Sequence, residues 1–193
     1  MEKKKVVKCT IDDNMVLGVE AISLVEYPAI QQNWVALNKI KLTEVVPERR
    51  MLYGPALIPD QHILRINPET SEEYYITFDA ETIQKCAHQY LMKNLQHSHT
   101  LEHKFSIVGC TVVESWLVES EQDKSTHLGF NLPVGTWVLG VKVQDDDIWQ
   151  TVKDGVVKGF SIEGMFNEVP TALSSHIYEA FLKELELVLA EYR

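Results

Sequence analysis

Apolar positions along this chain fall into short alternating or continuous runs separated by polar turns, which predicts many strands and few helices. Residues 6–12 read as a first strand, and residues 16–25 as a second, nearly continuous in apolar side chains with Glu20 as its one charge. Glu26-Tyr27-Pro28 breaks that run, because proline removes a ladder donor. Residues 31–41 fit a short helix or an extended segment equally well. Strand character resumes over residues 51–58. Residues 62–66 and 74–78 pair as a hairpin around a polar loop, and residues 107–118 and 136–143 give two further strands. Asp79 is placed to cap a helix over residues 80–93, whose Ile83, Ala87, Tyr90 and Leu91 recur at helical spacing. Residues 148–152 suggest a helical turn, and residues 175–192 an amphipathic terminal helix. The expected fold class is therefore α+β: a barrel-like core of mostly antiparallel strands, closed or nearly so, flanked by two to three helices. One domain over residues 1–193 is expected, with strands and a linker in 1–46, the barrel body in 47–170 and a helix in 171–193.

The last predicted strand holds Gly159-Phe160-Ser161-Ile162-Glu163-Gly164. Phe160 and Ile162 flank a serine that sits poorly solvated between two glycines, where another backbone or a substrate approaches closely. The spacing is one residue longer than a nucleophile elbow and no helix follows, which disfavours an α/β-hydrolase. On these residues alone Ser161 reads as a strand serine bonded to nearby backbone. The nucleophile reading requires a base within hydrogen-bond reach. His103, at the entrance to the strand over 107–118, is the histidine best placed for it, and a half-exposed loop histidine is the plainer reading. His97, His99 and His103 also admit a metal-dependent hydrolase, although no carboxylate or thiolate completes a recognised ligand motif.

Charge and composition narrow the classes. The net charge of −10 argues against a nucleic-acid-coating surface. Hydrophobic residues make up 45% of the chain, enough for a core, and no run reaches membrane-spanning length. The three cysteines, Cys9, Cys86 and Cys110, are far apart and odd in number, so neither a disulfide framework nor a zinc knuckle fits. A soluble cytoplasmic protein without cofactor or metal is expected.

Several blocks in order, Ala21-Ile22-Ser23-Leu24-Val25-Glu26-Tyr27-Pro28-Ala29, Tyr53-Gly54-Pro55-Ala56, Thr100-Leu101-Glu102-His103, Val112-Val113-Glu114-Ser115-Trp116, Asp123-Lys124, Gly135-Thr136-Trp137 and Lys158 to Gly164, give the chain a family likeness. It resembles the XkdF-type phage serine proteases, relatives of the prohead proteases of tailed phages. The resemblance implies a herpesvirus-protease-like barrel and a serine endopeptidase, with Ser161 as nucleophile and His103 as general base. Its implied substrates are the phage scaffold and the major capsid protein during head maturation, in the host cytoplasm within the prohead. A homodimer is also implied; nucleic acid and membrane are not. The alternative is a non-catalytic head-assembly or scaffold-binding protein.

Related prohead proteases carry the third catalytic member on a C-terminal strand patterned like E-V-S-L-V. Here the similar string lies near the N-terminus, which implies a circular permutation and puts Ala21 at the position of the acid. Glu20 is the neighbouring candidate, although alternation turns it to the opposite face unless a bulge intervenes. Glu114 is a second candidate, and a Ser161–His103 dyad oriented by water or a carbonyl is the remaining form.

Overall fold

The computed structural model describes residues 4–12, 14, 16–31, 35–37 and 49–170. In chain order the elements are β1 (Val6–Thr10), β2 (Gly18–Val25), β3 (Val35–Leu37), β4 (Met51–Leu57), β5 (Ile63–Ile66) and β6 (Glu73–Thr77). Then come α1 (Ala80–Met92), β7 (His99–Leu101), β8 (Phe105–Ile107), β9 (Cys110–Leu117), α2 (Lys124–His127) and β10 (Trp137–Val143). The last are α3 (Asp146–Lys153), β11 (Gly159–Met165) and β12 (Asn167–Pro170). The α+β class stands, and seven of the nine described ladders are antiparallel. The terminal helix expected over residues 175–192, and most of the segment 31–41, lie outside the described residues.

The strands do not close into one barrel among the described residues. They form three four-stranded sheets ordered β12-β1-β6-β5, β3-β4-β10-β9 and β11-β2-β7-β8. Two parallel pairings, β1 with β6 and β2 with β7, bring together strands distant in sequence. Register shifts at Trp137/Val138, Gly140/Val141 and Glu163/Gly164 bend the strands. The sheets therefore stack around one shared core rather than continuing one ladder. That core draws Ile22 and Leu24 from β2, Leu52 and Leu57 from β4, Tyr90 from α1, Trp137 and Leu139 from β10, and Phe160 from β11. β11 lies against β4 across it.

Local chemistry accounts for the helices. Asp79 sits in extended conformation and its carboxylate accepts the Thr82 N–H at 2.9 Å, starting α1 where the sequence placed it. Lys8 reaches the same carboxylate at 2.5 Å and ties α1 to β1. Asp145 caps α3 in the same way through the Ile148 N–H. No helix among the described residues is long and apolar enough to cross a membrane.

One close approach shapes the functional sheet. At Glu163/Gly164 the register of β11 against β2 shifts, so that Glu163 faces Ala21, Gly164 faces Val19, and Glu20 is the extra residue of a bulge. Gly164 there packs directly on the Gly18 carbonyl, and a Cβ has no room. Gly164→Ala is expected to destabilise the fold by about 1–3 kcal/mol, as overpacking does in tight interiors. Chemical denaturation of the two proteins measures this, and an unchanged midpoint contradicts it.

Candidate active site

The register of the third sheet sets out the site. Ser161 of β11 pairs with Ser23 of β2, Ser23 with Thr100 of β7, and Thr100 with Ser106 of β8. Paired residues project to the same face, so four hydroxyl side chains form a row across four strands. The opposite face carries Phe160, Ile22 and Leu24 into the core, and also His99. Exposure rises along the row from Ser23 (0%) and Ser161 (6%) through half-buried Thr100 to exposed Ser106. Glu163 lies two residues beyond Ser161 and shares its face, because strand side chains alternate with period two.

His103 reaches this face from a strained turn. β7 and β8 are joined by Glu102, His103 and Lys104; the first two have positive φ (50° and 56°), and Lys104 N–H closes a turn on Leu101 O at 3.0 Å. Glu102 and His103 thus have the φ signs of a primed turn, whose central positions normally take Asn-Gly. Placing ordinary L-residues in the left-handed region costs roughly 1–2 kcal/mol apiece. Three hydrogen bonds to β2 and the segment after it oppose that cost. Glu102 N–H donates to Leu24 O at 3.0 Å, His103 N–H to Ser23 Oγ at 3.0 Å, and Glu26 N–H to Glu102 Oε1 at 2.6 Å. At about 1 kcal/mol net for each such bond, the pins match the strain. Strain held in this way marks functional sites.

The imidazole so placed has its Nδ1 2.9 Å from Glu163 Oε1, and the Thr100 hydroxyl donates to the same oxygen. A carboxylate only accepts, so in the neutral ring Nδ1 carries the hydrogen and Nε2 the lone pair. Ser161 Oγ has no hydrogen-bond partner among the described residues. A free hydroxyl, an imidazole with an available nitrogen and a carboxylate orienting that imidazole thus share one face of one sheet. This is the component set of acyl transfer.

Residues 39–169 match the family described as "Putative phage serine protease XkdF". The chain belongs to this XkdF family. It is also similar to the Phage-like element PBSX protein XkdF of Bacillus subtilis (strain 168), with 26% identity over 117 residues. That match covers 61% of this chain and only 37% of the relative's length. No solved structure matches.

In this XkdF-family chain the two acids singled out by sequence lie apart from His103. Glu20 is exposed on the bulge and has no ion pair or hydrogen bond among the described residues. Glu114, on β9 of another sheet, accepts the Tyr53 hydroxyl at 2.6 Å and pairs with Lys124, whose ammonium also lies over the Tyr53 and Trp116 rings. The carboxylate bonded to His103 is Glu163, which sequence reasoning passed over. Its signal was the Ser161-x-Glu163 spacing, which in a strand puts both side chains on one face. Glu163 is moreover the direct cross-strand partner of Ala21.

The histidines do not converge. His97 Nδ1 lies 3.1 Å from Thr111 Oγ1, and His99 Nε2 lies 3.1 Å from the Gln96 carbonyl on the core face. No group of three potential metal ligands gathers among the described residues. Burial pushes the thiols of Cys9, Cys86 and Cys110 up to about 12, which leaves them protonated and poor as nucleophiles at neutral pH.

His99 is 3% exposed, and burial pushes its imidazole below the ordinary value against the pull of the Gln96 and Ile22 carbonyls. The fold therefore holds it neutral, whereas the unfolded chain takes up a proton near pH 6.5. Its contribution to stability is complete above that pH and is lost as pH falls through the lower folded-state value. Between about pH 7 and pH 5 the wild type is expected to lose more unfolding free energy than His99→Gln. Parallel denaturation curves at each pH measure the difference, and identical slopes contradict it.

Proposed function

We propose that this chain is a serine endopeptidase of phage head assembly, with Ser161 as nucleophile, His103 as general base and Glu163 as the carboxylate that orients the base. The observation that carries this reading is the 2.9 Å contact between His103 Nδ1 and Glu163 Oε1, on the face that Glu163 shares with Ser161. The family match supports the reaction class. Resemblance to prohead proteases puts the third member at the position of Ala21, and Glu163 stands directly opposite it. The carboxylate thus comes to that place from the neighbouring strand.

The chemistry follows the triad pattern. Ser161 Oγ attacks the scissile carbonyl carbon while its proton passes to His103 Nε2. Glu163 stabilises the imidazolium through Nδ1–H, and backbone N–H groups hold the oxyanion. Collapse breaks the C–N bond, and the amine leaves with the Nε2 proton. Water, deprotonated by Nε2, then hydrolyses the ester on Ser161 and restores the hydroxyl. In this reading the substrates are the scaffold and the scaffolding segment of the capsid protein, inside the immature head. The half-exposed His103 and Glu163 suit a site that receives a protein chain rather than encloses a small molecule.

Incubation with purified cognate scaffold and capsid protein, followed by intact mass, tests this. Discrete fragments are expected with the wild type and none with Ser161→Ala. Glu163→Gln is expected to cleave at the same sites about 10²- to 10⁴-fold more slowly, as loss of the orienting carboxylate does in triads. Binding of scaffold without cleavage by the wild type moves the reading to a non-catalytic assembly protein. Cleavage by Ser161→Ala removes Ser161 as nucleophile.

A further inference from the structure

We infer that Ser23 is a positioning residue of this site, the group that registers His103 to Ser161; the inference rests on the proposed catalytic reading. Ser23 touches neither substrate nor reacting atoms in that reading. It is fully buried on the hydroxyl face, paired directly with Ser161 on one side and Thr100 on the other. Its Oγ accepts the His103 N–H at 3.0 Å, and its own hydroxyl faces the Thr100 carbonyl at 3.5 Å.

A serine is required there by the turn. The N–H groups of the two central turn residues, Glu102 and His103, find their partners outside the hairpin, and that of His103 points toward β2. The neighbouring N–H, of Glu102, is taken by the Leu24 carbonyl. The next acceptor along β2 has to be a side chain on the hydroxyl face, and Ser23 Oγ supplies it. The bond fixes the His103 backbone in the left-handed region, and with it the direction of the Cα–Cβ bond that aims the imidazole. Glu163, held by Thr100, then sets the ring orientation. The backbone and the ring of His103 are thus fixed by separate hydroxyl residues of one row. Both stand in register with Ser161, so a shift of the turn displaces the base from the nucleophile.

The test uses a fluorophosphonate, which phosphonylates an activated serine without need of the natural substrate. Wild type is expected to be labelled on Ser161 and Ser161→Ala to remain unlabelled. Ser23→Ala is expected to lower the phosphonylation rate constant per folded molecule by about 10- to 100-fold, since small misplacements of a base cost that much. The probe's binding constant is expected to stay unchanged, and Ser23→Thr, which keeps the hydroxyl, to recover most of the rate. A role confined to stability shifts the thermal midpoint and leaves the rate per folded molecule alone, and that result overturns the proposal. Amide hydrogen exchange of His103 in the wild type needs no variant. Protection is expected, and exchange at the unfolded-chain rate overturns the bond to Ser23 even if Ser23→Ala does not fold. Wild type left unlabelled while the His103 amide is protected removes the catalytic reading, and with it the positioning role, although the bond itself exists.

Discussion

The site depends on one constraint: a tight turn whose central residues, Glu102 and His103, are held in a conformation that neither favours. The left-handed backbone aims the His103 side chain across β7 and β2 toward β11, and the bonds from Leu24, Ser23 and Glu26 keep it there. An Asn-Gly turn satisfies the hairpin without strain but supplies no imidazole. The strain and its compensation therefore belong to the same design, the strain in the turn and the compensation on β2 and the residue that follows it. That strand sits between the serine strand and the histidine hairpin, and it contacts every part of the site while contributing none of the three proposed reacting side chains.

The same register explains how a carboxylate is found for His103. β11 carries Ser161 and Glu163 on one face, and the bulge that follows at Glu20 lies just past Glu163 rather than between the two. The bulge is on β2, so the alternation of β11 that puts Ser161 and Glu163 on one face runs unbroken. Gly164 permits the close approach of β2 at that point, so the local backbone and the side-chain geometry are fixed together. Thr100 adds a second donor to Glu163 Oε1, which holds the carboxylate against rotation. The family match spans all of these strands except β1 to β3 and the last residue of β12, so β2 lies outside the matched stretch while holding the site together.

Much of the fold was legible because it rests on local signals. Asp79 caps α1, the polar loop after Ile66 joins β5 to β6, and the apolar alternation of β9 and β10 marks their strands. The hairpin of β7 and β8 was not legible. Residues 96–103 are polar, each strand has three residues, and the turn lacks the glycine or asparagine that announces such a loop. The division into three sheets among the described residues was not legible for a different reason: the parallel pairings that join strands distant in sequence have no local signature. In the site, Ser161 and His103 stood out from the sequence by family resemblance, and the geometry puts them on one face. Glu163 stayed hidden because the resemblance pointed to the strand of Ala21, whereas the carboxylate stands on the strand opposite. Ser23 was hidden as an ordinary strand serine inside an apolar run.

The proposed mechanism turns on which nitrogen of His103 carries the hydrogen when the ring is neutral. Long-range ¹⁵N–¹H correlation of the imidazole, with His103 assigned by its loss in His103→Gln, reads this directly. The account predicts hydrogen on Nδ1, shared with Glu163, and an unprotonated Nε2 free to receive the Ser161 proton, with this preference lost in Glu163→Gln. Hydrogen on Nε2 in the wild type contradicts it, because the nitrogen assigned to take the Ser161 proton then has no lone pair to act as a base.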